Sequence, residues 1–140
     1  MRERPTRDQA LMAVARIMAA RSTCNRRQVG AVLAVDGRIL STGYAGAPSG
    51  LPHCSPSVCD LTTPCTRTVH AEANAIAFAA RNGIRMEGAT LYTTLSPCID
   101  CAKLLINSGV KKVVYAEQYR TTDGLDLLRS VGVIIPDLYA

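Results

Sequence analysis

Hydrophobic positions near the start of the chain change from a helical spacing to a strand-like spacing. Apolar residues at helical intervals, with arginines beside them, predict a surface-lying helix over about residues 7–21. Two runs rich in β-forming residues, 28–35 and 38–43, flank Asp36-Gly37, a dipeptide typical of a tight hairpin turn. We therefore expect the chain to open with a helix followed by a β-hairpin.

The second half of the chain alternates helical and strand-like segments. An alanine-rich helix is predicted over about residues 69–82. Ser96 is expected to cap a third helix, with Pro97 in its first turn and Gly109 after its end. A short helix and three strands complete the chain, over residues 123–130 and over 90–95, 112–116 and 133–135. This order predicts an α/β fold, a three-layer α/β/α sandwich with a mixed five-stranded sheet, built as a single domain over residues 1–140.

One long segment, residues 44–66, fits no regular element. It holds four of the seven prolines and several glycines and serines. A structureless loop of this length is unusual inside a compact domain unless it is functional or held in place. We expect this loop to cover a substrate and to be pinned by its own cysteines.

The composition describes a protein with a core and without a membrane segment. Of the 140 residues, 48% are hydrophobic and 19% charged, which supplies apolar material for a core and too little charge for disorder. No apolar run approaches the length of a membrane span, and the N-terminus lacks the features of a signal peptide. We expect a cytoplasmic protein with no membrane partner.

The net charge of +5 rests on 13 arginines and only 3 lysines. Arginine suits planar, bidentate recognition of phosphate. The basic residues are scattered, and there is no Trp and a single Phe, whereas nucleic-acid surfaces usually combine clustered cations with aromatic platforms. A small nucleotide is therefore favoured over a nucleic acid polymer. A basic surface with no particular partner is the alternative.

Two pairs of residues have the chemistry of a catalytic metal site. Cys98 and Cys101 form a CxxC at the start of one predicted helix, and His70 and Glu72 lie at the start of another. Two thiolates and one imidazole leave one tetrahedral position of Zn²⁺ open for water, as in catalytic zinc sites, and the positive end of the helix dipole favours the thiolates. Glu72 need not be a ligand, because it can take a proton from water and deliver protons to a ring nitrogen and a leaving amine.

Each of these residues alone has a simpler interpretation. A CxxC can be a redox pair, a single His is usually a core or surface residue, and a Glu in a first turn usually interacts with the helix dipole. Their order is more specific, because H-x-E followed by P-C-x-x-C is the signature of zinc-dependent nucleobase deaminases. The sequence therefore predicts a catalytic zinc site of His70, Cys98 and Cys101, with Glu72 as the proton carrier.

Three motifs carry a resemblance to a known family: His70–Ile76 (HAEANAI), Ser96–Lys103 (SPCIDCAK) and Gly43–Gly50 (GYAGAPSG). Over about residues 21–132 the chain resembles the deoxycytidylate (dCMP) deaminase family, within the cytidine deaminase-like superfamily. The resemblance implies hydrolytic deamination of dCMP to dUMP and ammonia, which supplies dUMP for thymidylate synthesis, by a homo-oligomer with dCTP and dTTP as effectors. The first alternative is a deaminase of 5-methyl- or 5-hydroxymethyl-dCMP, or of another cytosine or adenine substrate. The second is a non-catalytic zinc-binding module.

The resemblance also implies two further groups of site residues. The first would contact the sugar and phosphate of the substrate: Asn25, Arg26, Tyr119 and Arg120. The second would hold a structural zinc ion: Cys24, Cys54, Cys59 and Cys65, with His53 as a substitute ligand. Such a site would tie the long loop to the end of the first helix and add metal-binding free energy to folding. Free, partly buried thiols are the alternative.

Two positions are candidates for regulation. Ala45 stands where the family usually has the Asn of Gly-Tyr-Asn-Gly, and an alanine side chain cannot form a hydrogen bond. We therefore expect control by triphosphates to be altered or absent, or the preferred base to be modified. Arg81 matches a family position linked to subunit contacts and regulation, although a partner for the C-terminal helix dipole explains it equally well.

Overall fold

The computed structural model describes residues 1–55, 58–59 and 65–136. The helices and strands lie close to the positions predicted from the sequence. In chain order they are α1 (Arg7–Ala19), β1 (Gly30–Val35), β2 (Arg38–Tyr44), α2 (Ala71–Arg81), β3 (Thr90–Leu95), α3 (Ile99–Asn107), β4 (Lys112–Glu117) and α4 (Asp123–Ser130). Part of the predicted long loop, residues 56–57 and 60–64, lies outside the described residues.

The four strands form one mixed sheet in the order β2-β1-β3-β4. Strand β1 is antiparallel to both of its neighbours, and β3 and β4 are parallel. The fifth strand of the prediction is not confirmed, since in the described part of the chain Ile134 makes only an isolated parallel bridge with Lys112. The segment is short because Gly132 turns the chain at φ +87° before it and Pro136, which has no N–H group, follows it.

Two clusters of buried side chains lie on opposite faces of the sheet. Successive residues of a strand point to opposite faces, so Val32 and Ala34 pack towards α1 while Ala31 and Leu33 pack towards the other helices. The cluster with α1 also contains Leu11, Met12, Ala15, Tyr92 and Val114. The larger cluster includes residues of α2, α3 and α4, among them Ala75, Leu105 and Leu128. This arrangement confirms a layer of helix on each face of the sheet.

Local signals in the sequence explain where the first elements begin and turn. Thr6 and Gln9 form a capping box at the start of α1, with hydrogen bonds of 2.9 and 3.1 Å. Asp36 and Gly37 both have positive φ, 50° and 76°, which is the backbone geometry of the tight hairpin turn that the dipeptide predicts.

Helix α2 approaches strand β2 closely because the strand contains a glycine at the point of contact. A Cβ atom on Gly43 would overlap the backbone carbonyl of Ala71 and lie 2.6 Å from the backbone nitrogen of Ala75. The first turn of α2 is thereby held against the sheet. No helix among the described residues has both the length and the apolar surface that a membrane crossing requires.

Candidate metal centre and adjoining pocket

Three side chains from two separate segments converge where α2 and α3 begin. His70 is the N-cap residue of α2, Cys98 is the N-cap residue of α3, and Cys101 lies one turn into α3. The Nδ1 atom of His70 is 3.4 Å from the Sγ atom of each cysteine. Within the described ranges this is the only group of three metal-binding side chains whose ligand atoms all lie within 4.8 Å of one another.

The geometry of this group fits a zinc ion. Ideal bond lengths in a tetrahedral site place a histidine nitrogen and a thiolate sulfur about 3.6 Å apart, close to the observed separations. The donor set of one imidazole and two sulfurs is the set that zinc prefers. It also leaves one tetrahedral position without a protein ligand from this group. The structure therefore brings together the three residues predicted as zinc ligands.

The two cysteines differ in their affinity for protons when no metal is bound. Hydrogen bonds from Cys101 and then from His70 lower the pKa of Cys98 to about 3. The hydrogen bond to Cys98 and burial raise the pKa of Cys101, and the hydrogen bond to Cys98 also raises the pKa of His70. Of the two cysteines, these contacts favour a thiolate at Cys98 alone in the metal-free protein. A cation that binds both sulfurs must displace the proton of Cys101.

Glu72 lies beside the three ligands but is not one of them. It is in the first turn of α2 and only 4% exposed. Burial raises the pKa of its carboxyl group to about 7, against an opposing effect of the nearby His70 and of the hydrogen bond with Cys101. A carboxyl group with a pKa near neutrality can both accept and release a proton during one reaction cycle. Its placement agrees with the proton-carrying role predicted from the sequence.

A cavity of about 340 Å³ adjoins the metal centre. Its lining includes His70, Glu72 and Cys98 from the metal centre and its surroundings, together with cationic side chains. The remaining lining comes from the loop after α1, the end of the long loop and the ends of β3 and β4. The lining residues are Cys24, Arg26, Arg27, Val29, Ala45, Cys65, Thr68, His70, Ala71, Glu72, Leu95, Ser96, Cys98, Tyr119 and Arg120. The pocket thus combines a site for chemistry with a site for an anion.

The cavity lining includes most of the residues predicted to contact sugar and phosphate. Arg26, Tyr119 and Arg120 line the cavity, whereas Asn25 is not among its lining residues. Arg27 also lines it, and the guanidinium carbons of Arg27 and Arg120 each lie 5.4 Å from the centre of the Tyr119 ring. The sequence does not distinguish Arg27 from Arg26, because the contact of Arg27 with Tyr119 depends on the packing of two loops that are distant in the chain.

Ser96 does not cap α3 as predicted. The N-cap residue is Cys98, whose backbone is extended with ψ 171°, so Pro97 precedes the helix. The Ser96 hydroxyl instead accepts a hydrogen bond of 2.6 Å from the backbone N–H of Tyr119. This hydrogen bond joins the segments that follow the parallel strands β3 and β4. It cannot be predicted from the residues next to Ser96 in the sequence.

The two candidate regulatory positions lie in different surroundings. Ala45 is buried and lines the same cavity as the metal ligands. Arg81 is an exposed residue in the last turn of α2 and does not line this cavity. Ala45 therefore belongs to the wall of the cavity that the metal ligands His70 and Cys98 also line.

The remaining cysteines are only partly grouped. The Sγ atoms of Cys54 and Cys65 lie 3.9 and 3.4 Å from the Thr68 hydroxyl, which Cys24 also contacts. Within the described residues these thiols do not form a second group with the close mutual distances of the first. Hydrogen bonds from Thr68 and from backbone N–H groups lower the pKa of Cys65 to about 7. Of the other two predicted ligands, Cys59 is partly exposed and His53 is exposed.

Comparisons with known proteins agree with this geometry. The family described as the cytidine and deoxycytidylate deaminase zinc-binding region matches residues 5–117. The chain is 40% identical to ComE operon protein 2 of Bacillus subtilis, over 95% of this chain and 71% of that protein. It is 37% identical to the deoxycytidylate deaminase of Enterobacteria phage T4, over 88% and 85% of the two chains.

One solved structure is similar to this chain over almost the whole length of both proteins. The crystal structure of dCMP deaminase from the cyanophage S-TIM5, in complex with dCMP and dUMP, superposes with a TM-score of 0.86 at 37% identity, covering 96% of this chain and 98% of that one. The fold is therefore cytidine deaminase-like. With its zinc-fitting group and its buried Glu72, the chain belongs to the cytidine and deoxycytidylate deaminase family.

Proposed function

We propose that the chain catalyses the hydrolytic deamination of dCMP to dUMP and ammonia. The observation that carries this proposal is one cavity that joins a zinc-fitting group and a buried carboxyl group to a cluster of arginines. A mononucleotide has the matching chemistry, with a base at one end and a phosphate at the other. The names of the relatives in phage T4 and of the cyanophage protein support dCMP as the substrate.

His70, Cys98 and Cys101 would hold the zinc ion. When bound there, zinc supplies Lewis-acid chemistry that makes water nucleophilic near neutral pH. Glu72 accepts a proton from the attacking water, protonates the ring nitrogen next to C4, and transfers a proton to the departing amino group. The overall reaction replaces the C4–NH₂ group of cytosine by a carbonyl and releases ammonia. The raised pKa of Glu72 suits it to both directions of transfer.

The phosphate of the substrate would bind at the arginine-rich end of the cavity. Arg26, Tyr119 and Arg120 line that end, and Arg27 adds a further cation. Charge-assisted hydrogen bonds from guanidinium groups to phosphate are among the stronger polar contacts in proteins. Asn25 lies next to Arg26 in the chain and stays a candidate contact for the sugar. This end of the pocket gives a reason for preferring a nucleotide to a nucleoside.

A substrate panel tests the reaction and its alternatives. We expect the zinc-loaded protein to deaminate dCMP faster than deoxycytidine, dCTP and 5-methyl-dCMP, followed as loss of cytosine absorbance and release of ammonia. Preference for 5-methyl-dCMP would favour the modified-base alternative, for which the small Ala45 side chain in the pocket wall leaves room. Absence of deamination of every substrate would contradict the proposal and favour a zinc-binding module.

The acid–base role of Glu72 is tested by Glu72→Gln. We expect kcat for dCMP to fall about a thousandfold or more, because the amide can neither accept nor deliver the protons. Zinc content should stay unchanged, since Glu72 lies outside the ligand group. Glu87→Gln, the same change at an exposed position, serves as the control. Retention of ammonia release by the Glu72 variant would remove this residue from the mechanism.

The phosphate site is tested by Arg120→Ala and Arg26→Ala. Each change should raise the KM for dCMP about tenfold or more, as expected for loss of a charge-assisted hydrogen bond, and leave the KM for deoxycytidine nearly unchanged. Arg85→Ala, at an exposed position outside the cavity lining, is the matched control. Equal effects on both substrates would remove these arginines from the phosphate site.

We propose in addition that the cysteines around Thr68 bind a second zinc ion with a structural role. Three thiols already surround one hydroxyl, and the low pKa of Cys65 favours the thiolate that zinc requires. A second ion would require the thiols to close around the position of that hydroxyl, with Cys59 or His53 as the fourth ligand. Such a site would hold the long loop against the pocket.

We also make proposals about the oligomeric state, the location and the regulation of the enzyme. We infer a single-domain, homo-oligomeric, cytoplasmic enzyme that supplies dUMP for thymidylate synthesis. Because Ala45 lines the reaction cavity, its change from the usual family residue bears on the substrate as well as on effectors. Hyperbolic rates in dCMP that do not respond to dCTP or dTTP would support the loss of triphosphate control, and sigmoidal rates that dCTP makes hyperbolic would contradict it.

A further inference from the structure

Ser96 connects the two halves of the pocket through its backbone and its side chain. It follows β3 and directly precedes Pro97-Cys98, and it is only 2% exposed. Its N–H donates to the carbonyl of Glu117 at 2.8 Å, which extends the parallel β3–β4 pairing by one residue. Its hydroxyl accepts the Tyr119 N–H at 2.6 Å. Ser96 is thus bonded both to the last residue of β4 and to the loop that follows it.

The side chain of Tyr119 in turn lies next to two cations. The guanidinium carbons of Arg27 and Arg120 are both 5.4 Å from its ring centre, within the range of cation–π attraction. Neither guanidinium forms an ion pair with a carboxylate in the part of the chain that the structure describes. Two cations that line one cavity without a carboxylate partner there favour the binding of an anion. Both guanidinium groups contact the same aromatic ring.

We propose that Ser96 is a positioning residue for the anion-binding end of the pocket. Its hydroxyl fixes the backbone of Tyr119, and the Tyr119 ring then supports Arg27 and Arg120 at a set distance from the metal ligands. This inference rests on the proposed function, since it assumes that the anion is the phosphate of a nucleotide whose base reaches Glu72. Substrate binding of this kind depends on placing two distant groups at once, and a displacement of about 1 Å can be costly.

A purely structural role for the Ser96 hydroxyl predicts a different outcome. Loss of a buried hydrogen bond would lower stability without selecting one end of the substrate. A positioning role instead predicts weaker binding of the phosphate while the reacting groups stay in place. The two roles are separated by comparing KM with kcat and by following the Tyr119 loop directly.

The test uses Ser96→Ala in the zinc-loaded full chain, with Ser108→Ala as the matched control. Ser108 has a hydroxyl hydrogen bond of the same length, 2.6 Å, at the exposed end of α3. For Ser96→Ala we expect the KM for dCMP to rise about tenfold and kcat to change far less. Amide hydrogen exchange in the peptide that contains Tyr119 should become faster, and the control should show neither effect.

Two results would overturn the proposal: an unchanged KM for dCMP, whether or not kcat falls, or unchanged exchange at Tyr119. Should Ser96→Ala fail to fold, Ser96→Thr, which keeps the hydroxyl, and Arg27→Gln, at an exposed position, replace it. We then expect a normal KM for dCMP with Ser96→Thr and a raised KM with Arg27→Gln, and the reverse pattern contradicts the inference. Hydrogen exchange and binding of inorganic phosphate need no turnover, so they test this role even if the chain does not deaminate dCMP.

Discussion

At the scale of single residues, the reactive centre combines side chains whose proton affinities are shifted in opposite directions. Hydrogen bonds from Cys101 hold Cys98 as a thiolate, while burial keeps a proton on Glu72 up to near-neutral pH. Opposite shifts within one small cavity are typical of sites that move protons. Most of the free energy for these shifts comes from burial and short contacts. The burial of Glu72 suits it to proton transfer and lowers the stability of the metal-free protein near neutral pH.

The stability of the metal-free protein should show this cost of Glu72. Its pKa is raised from 4.5 in the unfolded chain to about 7 in the fold, so the folded state favours the protonated form. This contribution is fully present below pH 4.5 and is lost as the pH rises through about 7. We therefore compare the free energies of unfolding of the metal-free wild-type protein and Glu72→Gln. Between pH 5 and pH 8, that of the wild-type protein should fall by on the order of 3 kcal/mol more than that of the variant.

Urea unfolding of both proteins in a chelator, at a series of pH values, measures this difference. We expect the two free energies of unfolding to diverge as the pH rises. A difference that stays constant from pH 5 to pH 8 would show that Glu72 titrates in the folded protein as it does in the unfolded chain.

At the scale of elements, the metal centre depends on how closely helices pack against backbone. Gly124, in the first turn of α4, lies directly against the turn that carries Cys98. A Cβ atom at this position would overlap the carbonyl oxygen of Pro97 and come within 2.9 Å of the carbonyl carbon of Cys98. These are backbone atoms and cannot move aside as a flexible side chain can. The glycine thus lets α4 support the metal-binding turn.

We expect Gly124→Ala to weaken zinc binding although the residue is not a ligand. The added methyl group should displace α4 or the Pro97-Cys98 turn and lower stability by about 1–3 kcal/mol. Competition with a colorimetric chelator measures the zinc affinity, and chemical unfolding measures the stability. Ser130→Ala, at the other end of the same helix, is the control. Wild-type zinc affinity in the Gly124 variant would show that the turn tolerates the added volume.

At the scale of the whole molecule, metal ions would join segments that are far apart in the sequence. His70 belongs to the start of α2, and Cys98 and Cys101 belong to the start of α3 after an intervening strand. Metal binding in such a site contributes directly to the free energy of folding. The same argument applies to the proposed second ion, which would connect Cys24 after α1 with Cys54 and Cys65 in the long loop.

The metal content of the purified protein tests this arrangement. We expect about two zinc ions per chain, falling to about one in Cys54→Ser, together with a lower melting temperature. Elemental analysis of the two proteins measures the ratio. Cys98→Ser serves as the comparison, because it should remove the catalytic ion instead and abolish deamination. One zinc ion per chain in the wild-type protein would contradict the second site.

Local signals along the chain were sufficient to predict the elements and the metal-binding group. Helix caps, the Asp36-Gly37 turn and the alternation of apolar residues are local signals, so the positions of four helices and four strands could be read from them. The ligands His70, Cys98 and Cys101 were also accessible, because their spacing at two helix starts reflects the coordination of zinc. The fifth strand, predicted over residues 133–135, is not confirmed, because three apolar residues between Gly132 and Pro136 are too few to form a paired strand.

The contacts that connect the metal centre with the arginines depend on the folded arrangement of distant segments. Ser96 reads locally as a helix cap, yet it bonds to Tyr119, and Arg27 reaches the pocket by packing on the same ring. The place of Gly124 against the metal-binding turn is likewise a contact between elements. Such contacts depend on how strands and loops come together in space. Sequence spacing records only what neighbouring residues do along the chain, and for that reason it could not reveal them.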